Sequence, residues 1–267
     1  MRLYFSCNNE AQSVLLPKNL TMDKQLMIFG IRTLIEAIQE GKEIDKVFIQ
    51  KGLRGDLYPE LYQLIKEREI PYSLVPIEKI NRLTRKNHQG VVAFISSIQY
   101  QKIEQVIPML YEQGKTPFIL ILDRVTDVRN FGALARTAEC AGVDAILIPA
   151  RGGAAINADA VKTSAGALHK IPVCRARFLE DDLKFLKESG LKIVGVSEKA
   201  EKAYYNETYK DPLALMLGSE EDGISANYLA LLDGFVKIPM TGSIASLNVS
   251  VAGGILMFEA SKQRLTS

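Results

Sequence analysis

Apolar residues along this chain recur at two spacings. In "MIFGIRTLIEAIQEG", Ile28, Ile31, Leu34, Ile35 and Ile38 fall on one helical face, and Gly41 marks a stop. The short apolar run "KVFIQ" reads as a strand, "LYPELYQLIKERE" as an amphipathic helix, "PYSLVP" as a strand, "IEKINRLTRK" as a helix and "GVVAFIS" as a buried strand. That alternation predicts a small α/β unit of roughly 75 residues with its own core. "SIQYQKIEQVIPMLYEQGKTP" carries a helical segment between polar ends and reads as a connector. Beyond it, "FILILD" is apolar throughout, as central parallel strands are. Strands "AILIP", "IPVCR", "KIVGVS", "LALMLG" and "FVKIPM" then alternate with helices "GALARTAECAGV", "NADAVKTSAGAL", "LEDDLKFLKESG", "ANYLALLDG" and "SLNVSVAGGILMFEASKQRL". Repeated βα units predict a mostly parallel sheet with helices on both faces. The pattern divides the chain into an extension (1–24), a small domain (25–97), a linker (98–116) and a larger domain (117–267).

Composition narrows the class. With 47% hydrophobic and 24% charged residues the chain is an ordinary globular mixture. No apolar run reaches the ~18–20 residues of a membrane span. The opening "MRLYFSCNNEAQ" turns polar too soon for a secretory signal. The 3 cysteines are scattered and lack a C-x-x-C pair, which fits a reducing cytoplasm better than a disulfide framework or a zinc site. His88 and His169 lie far apart, and no spacing suggests a metal site. Net charge is only +2, so distribution says more than the total. Arg82, Arg85, Lys86 and His88 cluster in the acid-free "NRLTRKNHQG". Lys162, His169, Lys170, Arg175 and Arg177 lie in a second acid-free stretch. Each stripe is a phosphate-binding surface or a solvated face.

Ligands of open parallel sheets bind beyond the carboxyl ends of the strands. Three such places carry polar chemistry. After "FILILD", the stretch "RVTDVRNFGALARTA" offers Asn130 as a helix N-cap, Gly132 for close backbone approach and Arg136 for a phosphate. After "LALMLG", Gly218 and Gly223 flank three acids, of which Glu221 and Asp222 suit a plain helix-start turn and Glu220 a function. After "FVKIP", the run "MTGSIASLNVSVAGG" crowds small polar residues at the mouth of an apolar helix, where they cap it, hold a ligand, or both. Neither G-x-G-x-x-G nor the P-loop occurs, which weighs against dehydrogenases and nucleoside triphosphatases. No nucleophile elbow occurs either.

"NFGALARTA", "LGSEEDGIS" and "IPMTGSIASLNVSVAGGILMFEA" resemble, in order and spacing, the three motifs of the SpoU/TrmH family of RNA ribose 2′-O-methyltransferases. "HQGVVA" is similar to the close of that family's small substrate-binding domain, itself similar to certain ribosomal proteins. The branch that methylates a guanosine of 23S ribosomal RNA is the nearest in pattern. The resemblance implies a trefoil-knotted C-terminal domain, a cytoplasmic homodimer formed through it, and S-adenosylmethionine as methyl donor. Carried over, Leu217, Gly218, Ile238, Met240 and Leu247 would hold that cofactor. Asn130, Arg136, Glu220, Ser246 and Asn248 would serve catalysis, with Arg136 acting close to the partner's cofactor. Arg82, Arg85, Lys86 and His88 would bind RNA, ribosomal RNA foremost. Where the family commonly has proline two residues before the first-motif Asn, this chain has Val128; that loosens the loop and removes no donor or acceptor side chain. Two alternatives share the fold: a tRNA methyltransferase, and a non-catalytic RNA-binding assembly factor. The intact Asn130, Arg136, Glu220 and Asn248 argue against the latter.

Overall fold

The computed structural model describes residues 26–154, 156–244 and 246–266. The expected extension, 1–24, lies outside the described residues. The chain runs β1 (Met27–Phe29), α1 (Ile31–Gln39), β2 (Ile44–Gln50), α2 (Tyr58–Glu67), β3 (Tyr72–Val75), α3 (Ile77–Leu83) and β4 (Val91–Ile95). It continues through β5 (Tyr100–Gln101), α4 (Ile103–Glu112), β6 (Phe118–Leu122), α5 (Val128–Cys140), β7 (Ala145–Pro149), α6 (Ala158–Thr163), β8 (Val173–Ala176) and α7 (Leu179–Glu188). It closes with β9 (Lys192–Val196), β10 (Leu213–Leu217), α8 (Ala226–Leu229), β11 (Gly234–Val236) and α9 (Val249–Leu265).

β1–β4 form a mixed sheet in the order β1-β4-β2-β3. α1 and α2 cover one face, where Leu34, Val47, Ile49 and Leu61 are fully buried. Met27–Phe29 was expected to open the first helix and instead pairs antiparallel with β4. The periodicity of Ile28 misled, because Gly30, at φ 92, breaks the chain direction before α1.

The second sheet has seven strands in the order β11-β9-β10-β6-β7-β8-β5, all paired in parallel. Alternate residues of β6 feed two cores, as period 2 requires. Phe118, Leu120 and Leu122 pack with α5 and α9; Ile119 and Ile121 pack with α4 and α7. Residues 98–116 do more than connect: β5 pairs with β8 and α4 closes the second core. The last helix begins at Val249, not at Ser246, because Asn248 caps it by accepting from Ser250 N at 2.9 Å. A Cβ on Gly253 would collide with the Leu134 side chain, so the glycine sets how closely α9 lies on α5.

A polar joint locks the two sheets together. Arg175, on β8, donates to the Ile44 carbonyl at 3.1 Å and to Glu43 at 3.2 Å, and stacks 4.0 Å from the Tyr100 ring centroid. The Tyr100 hydroxyl donates to Asp45 at 2.7 Å. Burial pushes the Glu43 and Asp45 carboxyls above their usual range, against the pull of Arg175. Arg177 and Lys102 both pair with Glu69. The second acid-free stretch is therefore spent largely on structure, with Lys170 pairing to Glu139 as well.

Candidate active site

The site is built at the carboxyl ends of β6, β9, β10 and β11. Leu217 ends β10, and its carbonyl accepts from Asp123 N at 2.8 Å. Ser219 and Gly223 then pair reciprocally, each N–H donating to the other's carbonyl at 3.0 Å, so the acidic run closes into a tight loop. A Cβ on Gly218 would overlap the Gly223 carbonyl carbon; only glycine fits there. Asp222 N donates to Ser219 Oγ at 3.1 Å.

Arg124, which the sequence reading missed, braces this loop from β6. It sits at φ 57, a strained conformation for a side-chain-bearing residue. Its guanidinium donates to Asp222 at 3.0 Å and to the Gly223 carbonyl at 3.1 Å. Nε is buried without a hydrogen bond, 3.6 Å from Asp123. The Asp222 hydrogen bond, with Asp123 behind it, holds the guanidinium protonated even more firmly than usual. Asp222 thus braces the loop and does not open a helix, as α8 begins only at Ala226.

Three site residues from three separate stretches meet at the loop. Asn130 Nδ2 donates to Glu220 Oε1 at 2.6 Å. Asn248 Nδ2 donates to the same oxygen at 3.2 Å and to Asn130 Oδ1 at 3.0 Å. Asn130 is not the helix cap expected from sequence. Asp127 caps α5, accepting from Arg129 N at 2.9 Å and Asn130 N at 2.8 Å. That frees the Asn130 amide for the network. Asn248 Oδ1 caps α9, one of the uses expected of its stretch, and its amide joins the network.

Beside the network opens a cavity of about 830 Å³. Leu217, Gly218, Ile238, Met240 and Leu247 line it, with Glu220, Ser246 and Asn248. All five residues expected at the cofactor therefore line one cavity. Val196, at the end of β9, and Ser197, Glu198 and Lys199, in the loop after it, also line the cavity and were missed. The strand-end rule that found the other loops applies equally to "KIVGVS". Arg136 is exposed, two turns along α5, and outside both the network and the lining.

The other sequence-selected residues lie on the first sheet's unit. Arg82, Arg85 and Lys86 are exposed around the end of α3. His88 is occupied within its own turn: Nδ1 accepts from Gly90 N at 3.0 Å. Nε2 therefore carries the proton of the neutral ring and donates to Asn81 Oδ1 at 2.9 Å.

A knot of amides and one carboxylate from three motifs, set beside a strand-end cavity, is matched by comparison with known proteins. Residues 117–258 match the model of the SpoU rRNA Methylase family. This chain belongs to that family. Residues 27–101 match the model described as RNA 2′-O ribose methyltransferase substrate binding. A Staphylococcus haemolyticus protein named for the TrmH family of tRNA/rRNA methyltransferases is 34% identical over 241 residues, covering 90% of this chain and 97% of the relative. The AdoMet-bound rRNA methyltransferase of Sinorhizobium meliloti superposes with a TM-score of 0.57 at 25% identity, covering 88% of this chain and 86% of that one. AviRb of Streptomyces viridochromogenes, solved with AdoMet, shares the fold at a TM-score of 0.57 and 20% identity, over 90% and 91% of the two chains. The SpoU-family chain is an S-adenosylmethionine-dependent RNA methyltransferase. The cavity fits that cofactor on its own terms. Its volume is that of a small-molecule site. Leu217, Ile238, Met240 and Leu247 offer an apolar wall for a flat base, and at Gly218 no side chain intrudes.

Proposed function

We propose that this SpoU-family enzyme methylates a ribose 2′-hydroxyl of RNA, a guanosine of 23S ribosomal RNA being the expected target, in the cytoplasm. The observation that carries the reading is the convergence of Asn130, Glu220 and Asn248 at the rim of the cavity. Leu217, Gly218, Ile238, Met240 and Leu247 hold S-adenosylmethionine, whose sulfonium supplies an electrophilic methyl group. Glu220 Oε1 accepts a hydrogen bond from each amide, which fixes the carboxylate and leaves Oε2 to accept from a ribose hydroxyl. Such fixed acceptors hold the attacking oxygen in line, and positioning of this kind supplies much of a transfer rate. Ser246, exposed at the rim, adds a further hydroxyl contact to the ribose. A guanidinium is a poor base and a good phosphate partner, so the role of Arg136 is to hold the RNA phosphate and orient the 2′-hydroxyl. The hydroxyl proton leaves to a phosphate or to water. Arg82, Arg85 and Lys86 bind the RNA backbone, and His88 fixes the shape of their turn.

The enzyme works as a homodimer. Val251 and Phe258, a helical repeat apart on α9, are each 51% exposed, an apolar stripe next to α5. Arg136 lies on α5 with no ion pair in its own chain among the described residues. Across such a stripe it reaches the partner's cofactor site. A trefoil knot accords with the strand order. β11 is outermost, yet the chain returns from it to lay α9 on α5, over the middle of the sheet.

A complementation experiment tests the arrangement. Arg136→Ala and Glu220→Gln proteins should each lose label transfer from radiolabelled S-adenosylmethionine to ribosomal RNA by ~10²-fold or more, with cofactor binding kept. Mixed after subunit exchange, they should regain about a quarter of wild-type turnover, since half the dimers are mixed and each of those has one intact site. No regain places Arg136 in its own protomer's site. Transfer to tRNA in preference to ribosomal RNA would replace the substrate, and no transfer with any RNA would support the assembly factor.

A further inference from the structure

One face of the first sheet is not covered as the other is. α1 and α2 bury the face bearing Val47 and Ile49. On the opposite face, register aligns Phe29, Val92 and Phe48 in one rung across β1, β4 and β2, and Met27, Phe94 and Lys46 in the next. The short α3 covers this face only in part, burying Ile80 against Val75 and Val92. Met27, Phe29, Phe48 and Phe94 pack against that cluster but are only partly buried. Phe48 and Phe94 meet edge to face at 6.1 Å.

Three lysines converge on these rings. Lys46 and Lys79 lie 5.0 and 5.2 Å from the Phe48 centroid, and Lys86 lies 5.5 Å from that of Phe29. None of the three forms an ion pair among the described residues. An apolar face that gathers unpaired cations is a poor seat for an apolar helix, whose docking would bury them. It suits a ligand that is flat and apolar in one part and anionic in another. Sheet-borne aromatic rings beside lysines and arginines bind unpaired nucleotides in this way, stacking the base and pairing the phosphate. Phe29 and Phe48 sit on strands either side of β4, about 10 Å apart, so each can take its own base. The face runs on to Arg82 and Arg85, beside Lys86, which would carry the backbone away.

We propose that this face is a stacking platform for unpaired RNA bases, seated on Phe29 and Phe48 with phosphates on Lys46, Lys79 and Lys86. It rests on the RNA-methyltransferase reading and adds a second contact: the target nucleotide is flanked by, or folded near, single-stranded RNA. The chain has 0 tryptophans, so Phe48→Trp installs a single tryptophan on the platform, excited selectively beyond the tyrosine absorption. Full-length Phe48→Trp protein is titrated with short oligoadenosine and oligouridine and with a blunt duplex of equal length. Stacking predicts strong quenching by the single strands and little by the duplex. In otherwise wild-type protein, Lys46→Gln with Lys79→Gln, both exposed, should weaken single-strand binding by anisotropy about five- to tenfold and leave S-adenosylmethionine binding unchanged. Single-strand binding that neither quenches the fluorophore nor depends on the two lysines overturns the platform. So does an emission that shifts on deletion of residues 1–24 and is blind to RNA, which would give the face to that segment. Label transfer to bulk ribosomal RNA is measured on the same wild-type protein. A platform that fails while transfer persists leaves the enzymatic reading intact, and the converse separates the two equally.

Discussion

At the scale of single residues, the site depends on side chains that motif reading ranks unevenly. Asn130, Glu220 and Asn248 were legible because they interrupt apolar patterns at strand ends, where polar groups need a reason. Arg124 was not, since a charged residue after a strand is common and its positive φ has no mark in sequence. Yet it ties Asp222 and the Gly223 carbonyl to β6 and so holds one wall of the cavity. Arg124→Ala removes both bonds, each worth about 1 kcal/mol at a half-exposed site. Calorimetry should find S-adenosylmethionine binding weakened about five- to tenfold, with the fold intact. Unchanged affinity would mean that the Ser219–Gly223 pairing holds the loop unaided. Asn130 teaches the opposite lesson. Asn favours the cap position, but Asp127 lies earlier in the same stretch and takes the cap, leaving Asn130 free to bond Glu220.

At the scale of elements, apolar periodicity placed most strands and helices, and missed where tertiary pairing overrides local pattern. Met27–Phe29 is too short to declare itself a strand until β4 lies beside it. Residues 98–116 read as a connector because β5 is only two residues long. The face of α7 toward α4 carries a further consequence. Asp182 is buried there beside Glu104 and Asp181, and burial first, then those like charges, push its carboxyl up to about 7, with Lys102 opposing. A carboxyl raised in the folded state binds more protons than in the unfolded chain between the two ionisations. Its contribution to stability is therefore full below about pH 4 and falls as pH rises toward 7. Asp182→Asn should raise the Tm at pH 8, gaining at least ~1 kcal/mol in urea unfolding, and change little at pH 4. An equal gain at both pH values would assign the effect to packing and not to ionisation.

At the scale of the whole molecule, two sheets share one task only if their relative placement is fixed. Arg175 does much of that fixing, bonding the Ile44 carbonyl and Glu43 while lying on Tyr100. In sequence it belonged to a basic stripe, and nothing there distinguished an interdomain arginine from a phosphate ligand. Burial decides the matter, since its side chain is only 12% exposed. Arg175→Ala should raise the KM for RNA several-fold, because the basic turn and the cavity would no longer be held in register, while cofactor affinity stays as in wild type. A loss confined to cofactor binding would contradict this division of labour.

A methyl group on a ribose oxygen differs from one on a base in its response to alkali. A 2′-hydroxyl attacks its neighbouring phosphate in base and cleaves the chain; a 2′-O-methyl group cannot. Ribosomal RNA labelled by this enzyme from radioactive S-adenosylmethionine is hydrolysed in alkali and the products separated by charge. Ribose methylation predicts the label in alkali-resistant dinucleotides, abolished with Arg136→Ala protein. Label in mononucleotides would place the methyl group on a base and rule out ribose methylation.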